Sequence, residues 1–135
     1  MNYWPMKSEP DTYGWPKLVA EKRGHWDGVR NPVANNNLAA MQLGDRCFFY
    51  HSNIGKEIVG VMEVVKTFYE DPKDPDWGVV DVVPVMPLET PVTLKQIKAD
   101  PRFKDMHLVR YSRLSVMPVT PAHWKAICKL GGIEP

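Results

Sequence analysis

Cysteine is scarce in this chain of 135 residues: there are two, Cys47 and Cys128, far apart. In a chain without a secretory start, such a pair is expected as reduced thiols in the core, which excludes a disulfide-stapled scaffold. Long apolar runs are missing too. The longest resemble Val79-Val80 and Val82-Val83 around Asp81, far below the ~20 residues a membrane span requires, so no membrane association is expected. The opening Met1-Asn2-Tyr3-Trp4-Pro5-Met6 has no basic start followed by an apolar stretch, and the expected location is the cytoplasm. Nor does one sign of charge dominate. Lys and Arg total 17 against 16 for Asp and Glu, which excludes a protein that coats nucleic acid through bulk charge.

What is present is an ordinary globular composition, 44% hydrophobic and 24% charged, expected to form one domain over residues 1–135. Thirteen prolines fall where elements should start or stop. Residues 3–7 read as an opening strand, halted at Glu9-Pro10. Residues 14–20 read as a short helix with Pro16 in its first turn and Gly24 beyond its end. Asn31 can cap a second helix opened by Pro32, with Val33, Leu38 and Met41 on its apolar side, although the run Asn35-Asn36-Asn37 disfavours it. Cys47-Phe48-Phe49-Tyr50 and residues 58–68 are β-favouring around the turn Asn53-Ile54-Gly55-Lys56, a hairpin pattern.

Further along, residues 77–85 form a valine-rich strand after a solvated loop at 70–76. Residues 93–99 read as a capped helix, 114–119 as the last strand, and Thr120-Pro121 as the opening of a closing helix that ends at Gly131-Gly132. Strands interspersed with short helices, without ~30-residue strand-helix-strand repeats, predict an α+β domain. Its centre would be a small curled sheet or barrel, mixed or antiparallel, flanked by short helices.

The motifs of common enzymes are missing: no Gly-x-Ser-x-Gly elbow, no phosphate-cradling loop, and no zinc-deaminase signature. Cys47 and His51 lie four apart on a strand, roughly 13 Å by backbone rise, too far to share a metal easily, so neither metal nor cofactor is expected. Glu9 and Asp11 beside Pro10 read as turn and capping carboxylates before they read as an acid-base pair. Charge is unevenly spread. Arg102, Lys104, Arg110 and Arg113 face Asp105 alone in their segment, whereas residues 69–90 carry six acids against Lys73. A basic stripe near tryptophans suits an unpaired base and its phosphates, although such a stripe is also an ordinary solvated face. Trp4 and Trp124 fit core positions. Trp26 precedes the polar, glycine-containing Asp27-Gly28-Val29-Arg30-Asn31, a segment able to present an indole at a pocket mouth. Trp77 could form a second aromatic wall.

The combination of Lys7-Ser8-Glu9-Pro10, Trp26-Asp27-Gly28-Val29-Arg30-Asn31, Gly44-Asp45 leading into Phe48-Phe49-Tyr50-His51-Ser52, and Arg113-Leu114-Ser115-Val116 with Pro118-Val119-Thr120 resembles the EVE domain family. The resemblance covers essentially the whole chain. It implies a PUA-like curled barrel flanked by helices, related to YTH domains, and non-catalytic binding of a modified nucleobase in DNA or RNA. By that resemblance Lys7, Ser8, Trp26, Asp27 and Gly28 line the base pocket, joined by Tyr50, His51 and Ser52 from a strand end and by Arg113, Leu114 and Ser115 from the last third. Trp77 would stand near a third aromatic position, while Lys7, Arg30 and Arg113 would meet phosphate or polar groups. Two rivals remain at this level: an enzyme for a small polar metabolite with His51 as base and Glu9 or Asp27 as partner, and a protein-interaction module using exposed tryptophans. Any protein partner is left open.

Overall fold

In the computed structural model, which describes residues 1–135, the chain runs β1 (Tyr3–Ser8), α1 (Pro10–Tyr13), α2 (Trp15–Glu21), β2 (Gly24–Trp26), α3 (Pro32–Ala40), β3 (Arg46–His51) and β4 (Glu57–Asp71). It continues through β5 (Asp74–Thr93), α4 (Leu94–Ala99), a 3-10 turn at Pro101–Phe103, α5 (His107–Arg110) and α6 (Pro121–Leu130). Prolines open α1, α2, α3 and α6, where a missing N–H costs nothing. The Asn31 side chain accepts from the N–H groups of Val33 and Ala34, which caps α3. Its asparagines are tolerated because two have tertiary partners: Asn35 Oδ1 accepts from Gly78 N–H at 2.9 Å, and Asn37 Nδ2 donates to Val116 O at 2.8 Å. No helix is long and apolar enough to cross a membrane.

The five strands form one mixed sheet in the order β1-β3-β4-β5-β2. β1 lies parallel to β3, and every other pairing is antiparallel. Alternation along β3 sends Cys47 and Phe49 into one core with Trp4, Met6, Leu18, Trp26 and Leu38. Phe48 and Tyr50 enter a second core with Ile97, Leu108, Trp124 and Ile127. Helices therefore cover both faces, which is why β3 is apolar without interruption. Both cysteines are buried and unbridged. Asp45, 2% exposed, ties β1 to the start of β3 by accepting from the Asn2 N–H at 3.1 Å, Trp4 Nε1 at 3.0 Å and the Gln42 N–H at 3.0 Å.

The α+β expectation holds, with four corrections. The sheet curls but does not close into a barrel, since β1 and β2 are its two edges; repeated register shifts between β4 and β5 supply the curl. Residues 70–76 are the tip of the β4–β5 hairpin instead of a long loop, with Asp71 Oδ1 accepting from the Lys73 N–H at 2.9 Å across the turn. Residues 114–119 run along β1 without forming a strand. Pro5 and Pro118 have no N–H to donate, and only two isolated bridges form, Tyr3 with Val119 and Met6 with Val116. Finally, Trp26, expected to stand in a loop, lies with Gly24 and His25 in the edge strand β2.

Candidate functional site

An open cleft of about 910 Å³ lies where the end of β1, helices α1 and α2, strand β2 and the loop 27–30 converge. Its formation follows from local breaks in the chain. Pro10 stops β1 and starts a single helical turn, and the Ser8 hydroxyl donates to Tyr13 O at 2.7 Å across it. Lys22, in the left-handed region at φ 66°, ends α2 and turns the chain into β2. Gly28, at φ 78°, then bends the chain back over the cleft in a conformation most side chains would resist.

Strand β2 pairs with β5 so that His25 opposes Asp81 and Trp26 opposes Val80. Period-two alternation points His25 outward and Trp26 inward. The Trp26 ring is only 6% exposed. It meets the Phe49 ring edge-on at 5.3 Å and the Tyr13 ring edge-on at 6.4 Å. The expected open indole face is thus corrected to an indole edge in the cleft wall, and Tyr13, only half-buried, is the more accessible aromatic ring. The Tyr13 hydroxyl donates to Glu21 Oε1 at 3.0 Å; burial and Glu21 raise its pKa, so it stays a neutral donor. The Lys17 ammonium stands 5.5 Å from the Tyr13 ring centre.

Of the residues expected at a pocket, Lys7, Ser8, Trp26, Asp27, Gly28, Arg30 and Ser115 line this cleft. The Lys7 ammonium is already engaged, donating to Ser112 O at 2.8 Å and lying 5.7 Å from the Tyr50 ring. Burial, and then Lys98, lower its pKa. The Arg30 guanidinium holds the hairpin tip, with Nη2 3.2 Å from Asp71 Oδ2 and Nε 3.8 Å from Asp74 Oδ2. The Lys73 amide and Arg30 keep the Asp71 carboxyl below its ordinary range against the opposing effect of burial.

The other expected residues stand elsewhere. Trp77 lies behind Arg30, 5.9 Å from its guanidinium, and is not a cleft wall. Tyr50 is buried in the second core, its hydroxyl pushed up to about 12 by burial. His51 Nε2 accepts from the Trp15 N–H at 3.0 Å, and the Ser52 N–H donates to Ser8 O at 2.9 Å. These three strand-end residues hold the cleft together from outside it. Arg113 and Leu114 line a separate hollow.

One cluster at the cleft rim escaped the sequence reading. The buried Asp81 carboxylate accepts from Arg23 Nη2 at 2.8 Å, contacts His25 Nδ1 at 2.7 Å and accepts from the Tyr69 hydroxyl. Burial works to raise the Asp81 pKa, but the hydrogen bonds from Tyr69, His25 and Arg23 outweigh it and the carboxyl is held low. The signal was available: an acid in the middle of Val79-Val80-Asp81-Val82-Val83 must find partners to be buried. No group of three or more His, Cys, Asp or Glu side chains is placed to hold a metal ion. The cleft offers a flat aromatic side, free carboxylates such as Asp27 and main-chain polar groups, an arrangement suited to a planar, polar ligand.

Comparison with known proteins places these features in context. The chain matches the pattern of the EVE domain over residues 2–130. Thymocyte nuclear protein 1 of Mus musculus is 35% identical, over 99% of this chain and 75% of that protein. A protein of Rhodopseudomonas palustris solved by NMR is 49% identical with a TM-score of 0.93, covering 98% of this chain and 94% of that one. Human THYN1 protein, solved in complex with 5-methylcytosine containing DNA, is 31% identical with a TM-score of 0.88 and full coverage of both chains. The PUA-like fold expected from the resemblance is accordingly the fold of this chain.

Proposed function

This chain belongs to the EVE domain family, and on that footing we propose that it binds nucleic acid carrying a modified base, without catalysis. An unpaired or flipped base enters the cleft between β1, α1, α2 and β2. The observation that carries this reading is that an open cleft with ample room for a nucleobase, lined by Ser8, Tyr13, Trp26 and Asp27, occurs in a chain similar throughout its length to a human protein solved with 5-methylcytosine containing DNA. The base packs against Tyr13 and the edge of Trp26, where stacking contributes about 1–3 kcal/mol. Asp27 and main-chain groups near Ser8 read its polar edge, and Lys17 lies at the rim for a phosphate. The partner is DNA or RNA in the cytoplasm, and neither metal nor cofactor takes part.

The geometry favours neither rival. A metabolite enzyme based on His51 would need that imidazole in the cleft, yet its Nε2 is occupied by the Trp15 amide. An interaction module built on exposed tryptophans would need Trp26 at the surface, where it is not. Trp26→Ala is a poor probe, since deleting a buried indole costs about 3–5 kcal/mol of stability. The test is fluorescence anisotropy with single strands carrying one 5-methylcytosine or one cytosine at the same position. We expect tighter binding of the methylated strand, and about tenfold weaker binding on Asp27→Ala or Tyr13→Ala, within the range for losing one polar or stacking contact. Equal affinity for both strands, unchanged by either substitution, would refute the assignment.

A further inference from the structure

A second hollow, about 660 Å³, adjoins the cleft on the side of α3 and α5. Val33, Leu114 and Pro118 give it an apolar part of its lining, and no acidic residue lines it. The Tyr111 ring stands at its edge, 49% exposed and 5.1 Å from the His107 ring. The Arg113 guanidinium has neither an ion-pair nor a hydrogen-bond partner, and Arg110 has only the exposed Asp105 at 3.7 Å. His107 Nδ1 is buried and without a hydrogen-bond partner. Nothing in the fold uses this set of groups. Flat aromatic surface, apolar lining and one unpaired guanidinium together suit a nucleotide, whose base stacks while its phosphate takes the guanidinium.

The hollow and the cleft abut along both margins. Arg30 lines the cleft and Asn31 the hollow; Ser115 lines the cleft while Arg113 and Leu114 line the hollow. Lys7 braces the partition between them, donating from Nζ to Ser112 O and from its main-chain N–H to Ser115 O, each at 2.8 Å. From this juxtaposition we propose that the hollow binds the nucleotide next to the modified base on the same strand, with Tyr111 stacking on the flanking base and Arg113 contacting the linking phosphate. This deepens the base-reading assignment and rests on it. It also explains why Arg113 and Leu114 accompany pocket residues in the sequence without lining the cleft.

The test is a double cycle using labelled single-stranded pentamers with a central 5-methylcytosine, either intact or with an abasic site on its 5′ or 3′ side. Tyr111 is exposed, so Tyr111→Ala should fold, which thermal unfolding is to check first. Removing the flanking base on one side is expected to weaken wild-type binding about 5- to 150-fold, the range of one stacked base, and to weaken Tyr111→Ala less than about twofold further. Arg113→Gln should reduce the salt dependence of pentamer binding by about one phosphate contact. An abasic penalty equal in wild type and Tyr111→Ala, or no penalty on either side, overturns the hollow's assignment. Loss of the preference for 5-methylcytosine over cytosine with the cycle intact overturns the cleft's reading instead.

Discussion

His51 shows how one side chain can matter to a site without entering it. Its Nε2 lone pair accepts from the Trp15 N–H, which fixes the neutral tautomer with the proton on Nδ1 and positions α2 beside the cleft. Burial holds its pKa below the ordinary 6.5, outweighing the opposing pull of Glu57. The neutral form is therefore favoured in the folded state, and the unfolded chain takes up more protons as the pH falls through 6.5 and below. The contribution of His51 is complete above that value and is lost on acidification. Urea unfolding at about pH 7.5 and about pH 5.5 should show a stability loss that is smaller in His51→Gln, which keeps an acceptor but does not titrate there. An identical loss in both proteins would contradict this. Residue roles were only partly legible in advance. Ser8 and Asp27 came from the family resemblance of Lys7-Ser8 and Trp26-Asp27, and both line the cleft. Trp26 was misjudged because its polar neighbours suggested a loop, whereas one backbone ladder to β5 turns the ring inward. Tyr13 was overlooked because a single turn between Pro10 and Gly14 carries no periodicity.

At the level of elements, the β4–β5 hairpin is the frame on which the rest is hung, and Gly60 is where α2 fits most closely against it. A Cβ there would lie 2.6 Å from three ring atoms of Trp15, so the indole of α2 sits directly on the strand backbone. Gly60→Ala must push Trp15 outward. It should cost about 1–3 kcal/mol in chemical denaturation, as overpacking in a filled core does, and loosen the contact with His51. A neutral substitution would mean that α2 is not held by this contact. Elements with strong local signals were legible: β1, β3, and the proline-opened, capped helices α3 and α6. The hairpin tip was not, because Glu70, Asp71, Asp74 and Asp76 have the composition of a loop, and the Arg30 clamp, the Asp71 bond to the Lys73 amide and the main-chain pairing hold them as strand. Strand β2 was illegible for another reason. Three residues, Gly24, His25 and Trp26, are too few for alternation to register, and their conformation is imposed by β5. The opposite error occurred at 114–119, where β-favouring residues lie beside β1 but Pro5 and Pro118 interrupt the bonding.

For the molecule as a whole, the parallel pairing of β1 with β3 has a consequence for the order in which the fold is made. The β4–β5 hairpin and its β3 neighbour close through short connections, whereas β1 can dock only after the long crossover from Glu9 to Asp45, which carries α1, α2, β2 and α3, has been confined. Non-local pairings of that kind form late and open first. Hydrogen exchange should therefore show the amides of Lys7 and Ser52, bonded to Ser115 O and Ser8 O, losing protection before those of the β4–β5 ladder; uniform exchange would argue against this. Both flanks of the cleft depend on β1 being seated. On the proposed assignment, recognition falls to a seam expected to assemble last and open first, and a bound strand, by stapling that seam shut, would act on the lifetime of the native state itself as well as on its stability.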